Sequence, residues 1–546
     1  MEVKFMCKKI LSVVLCAIML TALFCSCDDS GKNSSDADSS ENSVIISSDV
    51  SDATSVSDDE SKTSDENFEI TVPHVTGSFI QPWAFTKYTP SKWERHFAYL
   101  KEAGIDTIIM QWVVSDSNGT VTNAYYPCTV APVEDSSSSH MLEALLKACR
   151  KSGMKLFIGL NATSEWFAIT LSDRDWYVRE AELGVKIAKE IHELYGEEYS
   201  DVICGWYFEH EYGASMGYPG EAAEFLNIHL EGLNEIGDGL PMLMSPYLES
   251  IVTAEDTEKY WTEVFSKTNF RKGDIFCSQD SLGVGSIPLY KFDDYYSAIR
   301  NAIKTKPELV LWANNENFTS TGKAAPLDRF VQQLKISEKY VEKHITFSYS
   351  HYYAPDIYGS KEPHEAYLHY IRTGEYEKLT PNEITYTGAK TLVSKGKSYK
   401  GAINSRGDDW DDDKIKLTDG IIPSPNGNDP GYFGAISEGM SIIIDLGEVT
   451  EGLSEFSVSN AFGEWGITNI ESVTYYVSDD GKKWTQAGET AHCYQQVPEA
   501  TLDSWLLYSF RVSLKEPVSG RYVKAAIENS GYIWISEIAV YTYDER

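Results

Sequence analysis

A chain of 546 residues is too long for one hydrophobic core and divides into several domains. Its 82 acidic against 47 basic side chains leave a net charge of −35. That excess argues against nucleic acid or an anionic lipid surface as partner, because both require basic patches, and suits a protein acting on neutral ligands.

Lys4, Lys8 and Lys9 precede an apolar run from Ile10 to Phe24. This order reads as an export signal, and the run is too short for a membrane span. It ends Leu23-Phe24-Cys25-Ser26-Cys27, which resembles the bacterial lipoprotein cleavage box. The resemblance makes Cys27 the expected lipid-bearing residue of a 1–27 signal, with Cys25 or plain secretion as the alternatives. The implied location is the extracellular face of the cell membrane, reached through the lipid. Residues 28–73 are rich in Ser and Asp and nearly devoid of apolar side chains as far as Glu66, and are expected to form a disordered tether. Beyond the signal only Cys128, Cys149, Cys204, Cys277 and Cys493 remain. An odd number without close pairing predicts no disulfide framework, and Cys204 and Cys277 read as small buried hydrophobes.

Between residues 74 and 373, short apolar runs alternate with amphipathic stretches, the pattern of repeated β/α units. Strands are predicted over 77–83, 107–113, 155–161, 202–208, 241–246, 274–279, 308–312 and 345–349. Helices are predicted over 91–103, 141–153, 180–195, 220–236 and 325–343. No G-x-G-x-x-G follows a strand, and polar residues cluster at the strand ends, so a closed (β/α)8 TIM barrel is favoured over an open doubly wound sheet.

In such a barrel every strand's C-terminal end opens on one face. Those ends offer Gln81 and Trp83, Gln111 and Trp112, Asn161, Glu209 and Glu211, Tyr247, Gln279 and Asp280, Trp312, Asn315 and Glu316, and His351. Aromatic faces stack on the C–H patches of sugar rings while amides and acids bond hydroxyls, so this set predicts a poly- or oligosaccharide site. Two facing carboxylates are the minimum equipment for cleaving a glycosidic bond. Strand alternation turns Glu209 and Glu211 the same way and His210 the other; Glu211, nearer the strand exit, is the expected acid/base, its pKa raised beside Trp206 and Tyr207. Glu316, after two asparagines, is the expected nucleophile, held ionised by their amides. Asp280 has three open roles: orienting substrate, assisting the catalytic water, or capping a turn. His351 reads as a hydroxyl ligand or a structural residue. With no H-E-x-x-H or Cys/His cluster, no catalytic cofactor is expected. A retaining course is suspected; the carboxylate gap decides it.

The run G-S-F-I-Q-P-W, then W-E-R-H-F-A-Y-L-K-E-A-G-I-D-T-I-I-M-Q-W, G-W-Y-F-E-H-E, S-Q-D-S-L-G and L-W-A-N-N-E-N-F resemble the bacterial family called domain of unknown function 4434. That family is similar to glycoside-hydrolase-type TIM barrels. The retaining clan with glutamates after strands four and seven implies Glu211 as acid/base and Glu316 as nucleophile, although His210 stands where that clan commonly carries Asn.

A polar linker over 374–383 leads to residues 384–546, whose short alternating strands and Gly, Asn and Asp turns predict an all-β sandwich. The pieces K-L-T-D-G, M-S-I-I-I-D-L-G, V-T-Y-Y-V-S-D-D-G-K-K-W, G-R-Y-V-K-A-A-I and I-S-E-I-A-V-Y resemble the discoidin, or coagulation factor 5/8 type C, fold. The resemblance implies a sugar-binding jelly roll with a structural Ca²⁺ at Asp419 and Glu537; Asp419 before Gly420 also reads as a turn residue. The leading expectation is an anchored glycoside hydrolase with an appended binding module. The alternatives are a non-catalytic glycan-binding lipoprotein or a surface adhesin.

Overall fold

The computed structural model describes residues 69–544, apart from 118, 167–170, 379–385, 387, 403–408, 411–414, 427–428, 438, 464–466, 491, 497 and 503–504. Cys27, the signal and the tether as far as residue 68 therefore lie outside the described residues.

Eight parallel strands close into a barrel: β1 Gly77–Ile80, β2 Thr107–Met110, β3 Lys155–Gly159, β4 Ile203–Phe208, β5 Met242–Met244, β6 Ile275–Gln279, β7 Val310–Asn314 and β8 Lys343–Thr346. Closure is made by β8 against β1, where Gly77 pairs with Ile345. Each strand is followed by an outer helix: α1 Pro90–Glu102, α2 Met141–Ser152, α3 Arg174–Ile191, α4 Pro219–Ile236, α5 Ala254–Lys267, α6 Phe292–Ile303, α7 Leu327–Ser337 and α8 Glu362–Thr373.

Local chemistry sets these boundaries. Thr89 accepts from the Lys92 amide and Pro90 opens α1, whose Trp93, His96, Phe97 and Leu100 bury one face. Asp173 caps the Trp176 amide, so α3 begins six residues before the predicted start. Phe79, Ile109, Phe157, Tyr207, Leu243, Ile275, Cys277 and Ile345 fill the barrel interior, and a larger cluster joins barrel to helices. On β3, a Cβ at Gly159 would lie 2.0 Å from the Gln111 carbonyl oxygen, so only glycine allows that approach. The five cysteines are free thiols, and burial pushes those of Cys204 and Cys277 up, away from nucleophilic use.

After β2 the chain forms an unpredicted small sheet, in which Val114–Ser117 and Thr120–Ala124 pair with each other and then with Asn161–Thr163 and Val133–Asp135. The C-terminal part is an antiparallel ten-stranded sheet with its own core. Its central strand β9 (Met440–Phe462) lies between β10 (Trp505–Glu528) and β11 (Gly531–Tyr543), with Phe456 opposite Val512 and Val540. Among the described residues no helix is long and apolar enough to cross a membrane.

Candidate active site

Alternation along β4 turns Trp206, Phe208 and His210 toward the helices and Tyr207, Glu209 and Glu211 toward the barrel axis. His210 is buried among Trp166 and Phe225, at ring distances of 4.9 and 5.1 Å. Glu211 is 6% exposed and sits in a ring of polar side chains at the C-terminal mouth. Tyr207 Oη donates to its Oε1 over 2.9 Å, and the amides of Gln279 and Gln111 also reach it. Gln81 donates to Gln111 (3.1 Å), Gln279 to the Ser245 carbonyl (2.8 Å) and Asn314 to Ser245 Oγ (3.0 Å), so the ring continues through five strands. Burial outweighs these hydrogen bonds and pushes the Glu211 carboxyl up to about 7. Trp206 does not share in this: it faces outward, and its Nε1 donates to Asp238.

Glu316 lies just past β7 and is 2% exposed. Its carboxylate is held by the Val284 amide (3.1 Å to Oε2) and that of Gly283, from the loop after β6. A Cβ on Gly283 would come within 2.7 Å of Oε2, so the glycine makes room for the carboxylate. Burial first, then repulsion from Asp280, push the Glu316 carboxyl up to about 8. The expected asparagine amides are elsewhere. Asn315 is 0% exposed and turned toward the helices, donating to Asp280 Oδ2 (3.0 Å) and meeting His344 at 2.9 Å. Asn314 donates to Ser245, and its Oδ1 accepts from the Phe347 amide. The strand ends at Asn314, so Asn315 and Glu316 are aimed by contacts with neighbouring loops and helices rather than by strand pairing.

The end of β6 lies between the two glutamates: Gln279 reaches Glu211, and Gly283 and Val284 hold Glu316. Around them the rim is partly exposed at Gln81, Glu209, Tyr247, His351 and Tyr352. Trp83, 38% exposed, stacks on His351 at 6.0 Å and 27°. His351 Nε2 accepts from the Gln81 backbone N–H (3.1 Å), and burial lowers its pKa to about 3, keeping it neutral. Tyr352 stacks on Phe318 at 5.1 Å, and Tyr247 Oη meets Met216 Sδ at 2.7 Å. Glu209 points into the mouth, and burial, then Glu211, Asp116 and Glu180, push its carboxyl well above the usual range.

Five expected sugar contacts are not at this rim. Asp280 is 0% exposed; it accepts from Asn315, Gln333 and the Leu282 and Glu316 amides, so of its three roles the turn cap is the one realised. Asn315 faces the helices. Asn161 is buried and donates to Glu180 Oε2 over 3.2 Å, and Trp112 packs into the barrel–helix core. Trp312 is inside the barrel but a layer lower, with Lys343 Nζ, from the start of β8, 5.1 Å from its ring. A sugar contact needs both an inward-facing position and a place on the C-terminal face, and each of these residues satisfies only one condition.

Two sets of functional candidates escape the sequence reading. Asp116, on the small sheet, and Glu180, on α3, are buried beside each other; burial, then Glu180, push Asp116 up to about 8. Arg329 and Gln333 both donate to the Glu316 carbonyl at 3.0 Å. Their signal is legible: two polar residues four apart on the buried face of α7.

Residues 75–359 match the family described as "Domain of unknown function (DUF4434)". The chain belongs to this family. The matched span lies within the 74–373 region expected for the barrel. Solved structures similar to this chain include a putative alpha-L-fucosidase from Bacteroides thetaiotaomicron, 20% identical, covering 57% of this chain and 98% of its own, TM-score 0.46. A Ruminococcus gnavus GH29 fucosidase mutant in complex with fucose is 12% identical, covering 87% and 93%, TM-score 0.23. The chitosan-binding module 1 of a chitosanase/glucanase from Paenibacillus sp. IK-5 is 12% identical, covering 28% and 98%, TM-score 0.18. No curated protein matches the sequence.

Proposed function

We propose that the DUF4434 barrel is a glycoside hydrolase, with Glu211 as acid/base and Glu316 as nucleophile. The observation that carries this reading is the pair of enclosed glutamates on either side of the β6 end, beneath an aromatic and amide rim. Glu211, titrating near 7, keeps a proton to give to the glycosidic oxygen as the bond to the anomeric carbon breaks. Glu316 attacks that carbon from the opposite face, forming a glycosyl ester. Glu211, now ionised, takes a proton from water, whose oxygen displaces Glu316 and releases the sugar. Burial and Asp280 raise the Glu316 carboxyl, and the Gly283 and Val284 amides oppose that rise by stabilising its ionised form, the form that attacks. Trp83 stacks on the substrate ring, and Gln81, Glu209, Tyr247 and His351 bond its hydroxyls.

The same proposal takes 374–383 as linker and 384–546 as a discoidin-like jelly roll that binds sugar. Its Ca²⁺ would be held by Asp419 and Glu537. The donors fit: Glu537 Oε2 accepts from the Gly420 amide (3.0 Å) and Asp419 Oδ1 from Ile421 (2.7 Å), while the buried Glu537 Oε1 has no hydrogen-bond partner among the described residues. Hard oxygen donors of this kind suit Ca²⁺, and backbone carbonyls would complete the shell. Lipid on Cys27 and the acidic tether would carry the enzyme on the extracellular face of the membrane, with neutral glycans as substrate.

The test is hydrolysis of a polysaccharide and aryl-glycoside panel by residues 66–546, beside Glu211→Gln and Glu316→Gln. Loss of about 10³-fold or more in both variants, with sugar binding kept, supports the mechanism. Binding by the parent without product, across the panel, replaces it with the glycan-receptor reading.

A further inference from the structure

The C-terminal sheet touches the barrel at the loops that hold Glu316. Residues 317–326, between Glu316 and α7, are pinned from outside: Ser320 Oγ donates to Glu471 (3.3 Å), Thr321 Oγ1 to Glu528 (3.0 Å), and Lys323 Nζ pairs with Glu528 at 2.5 Å. Beneath them Arg329, 1% exposed, donates to the carbonyls of Leu282 (3.2 Å), Glu316 (3.0 Å) and Phe318. One guanidinium thus ties the loop after β6, which supplies the Gly283 and Val284 amides, to the loop that carries Glu316.

That guanidinium lies 5.7 Å from the ring of Tyr494, from the C-terminal sheet. Its Nε has no hydrogen-bond partner among the described residues, so carbonyls and the aromatic face hold it. Glu471 is buried as well and meets His492 at 3.2 Å and Cys493 at 3.8 Å, in the turn that presents Tyr494. The loop after β6 makes a contact of its own, between Tyr290 and Tyr508.

We propose that the C-terminal sheet positions the nucleophile: Tyr494, Glu471 and Glu528 hold Arg329 and the 317–326 loop, and through them keep the Glu316 carboxylate on the Gly283 and Val284 amides. The claim rests on the reading of Glu316 as nucleophile. It makes the C-terminal unit part of the catalytic apparatus as well as a sugar-binding appendage. Tyr494, Glu471 and Glu528 act through other groups and are positioning residues.

The deciding experiment uses the whole folded chain with Tyr494→Leu, Tyr494→Phe and the double variant Glu471→Gln/Glu528→Gln. The Tyr494 hydroxyl has no hydrogen-bond partner among the described residues, so phenylalanine keeps the face that Arg329 uses. On an aryl glycoside the parent hydrolyses, kcat is expected to fall roughly 10- to 100-fold in Tyr494→Leu and the double variant, with KM within about twofold, while Tyr494→Phe matches the parent. Amide hydrogen exchange over 283–286 and 317–325 is expected to quicken about tenfold or more in the same two variants, with α3 and α4 unchanged. Parental kcat and parental exchange in both variants would overturn the proposal. If Tyr494→Leu does not fold, the double variant decides. If the parent hydrolyses nothing on the panel, the hydrolase reading fails by itself, and exchange alone decides whether the sheet holds the Glu316 loop.

Discussion

Replacing Glu211 by glutamine should flatten the pH dependence of stability, because the side chain keeps its shape and loses its titration. The carboxyl rises from the ordinary 4.5 to about 7 on folding. A raised carboxyl pKa means that the folded state holds its proton where the unfolded chain has released it. Its contribution is therefore fully present below about pH 4.5 and is lost as pH climbs through about 7. At 1.36 kcal/mol per unit, a shift of about 2.5 units amounts to about 3 kcal/mol, of which roughly 2.5 kcal/mol falls away between pH 5 and 8. Glu316 titrates in the same direction, but it is present in both proteins and cancels in the comparison, whereas removing the Glu211 charge also relieves part of the rise on Glu209 and so adds to the flattening. Denaturant unfolding at pH 5, 6, 7 and 8, followed by tryptophan fluorescence, should show the parent losing about 2 to 3 kcal/mol more than Glu211→Gln across that range. Parallel pH profiles for the two proteins would refute the premise that burial governs this carboxyl. They would also remove the physical basis for making it the acid.

Three further outcomes test other parts of the structure. Trp83→Ala should leave stability unchanged, since the ring is 38% exposed, yet weaken glycan binding by about 0.5–1.5 kcal/mol, read as a roughly two- to tenfold rise in KM without change in kcat. Gly159→Ala drives a methyl to 2.0 Å from the Gln111 carbonyl oxygen, where two paired strands give no room, and a loss of about 3 kcal/mol or more in urea unfolding is expected; a loss under about 1 kcal/mol would mean that β2 and β3 do not approach as described. Ca²⁺ at about a hundred times its Kd should stabilise the C-terminal sheet by about 2.7 kcal/mol, seen as a rise of roughly 5–10 °C in its melting, and Glu537→Gln should abolish the effect. No rise in the parent would leave Asp419 as a turn residue.

The barrel strands are legible because each is a short run buried on both faces, which forces continuous apolar sequence such as Thr107–Met110. Helices α5, α6 and α8 are not among the predicted elements, yet in α5 the buried Thr257, Tyr260, Trp261, Val264 and Phe265 stand at i, i+3, i+4, i+7 and i+8, so the helical period is present in the sequence and is a signal the prediction missed. The small sheet is hidden by its polarity: Ser115, Asp116, Thr122 and Asn123 sit in its strands, and only the tertiary pairing with Asn161–Thr163 makes that region a sheet. Within the site, alternation sorts Glu209, His210 and Glu211 correctly because all three continue the line of β4. The same rule gives no purchase on Asn315 and Glu316, which lie beyond the last paired residue of β7.

Glu316 shows why a strand-end rule reads only half of such a site. Everything that aims its carboxylate is distant in sequence: Gly283 and Val284 stand more than thirty residues upstream, and Arg329 and Gln333 fix its carbonyl from a helix downstream. Glu211, by contrast, takes a hydrogen bond from Tyr207 of its own strand, and its pKa is set by enclosure in the barrel. The two carboxylates therefore depend on different parts of the protein. Damage to the loops or to the C-terminal contacts should silence Glu316 while Glu211 still titrates near 7. Damage to the inner polar ring, at Gln111 or Gln279, should shift the titration of Glu211 and leave the Glu316 loop protected from exchange. Measuring both in one set of variants separates loss of the proposed acid from loss of the proposed nucleophile, a division that an activity assay alone does not make.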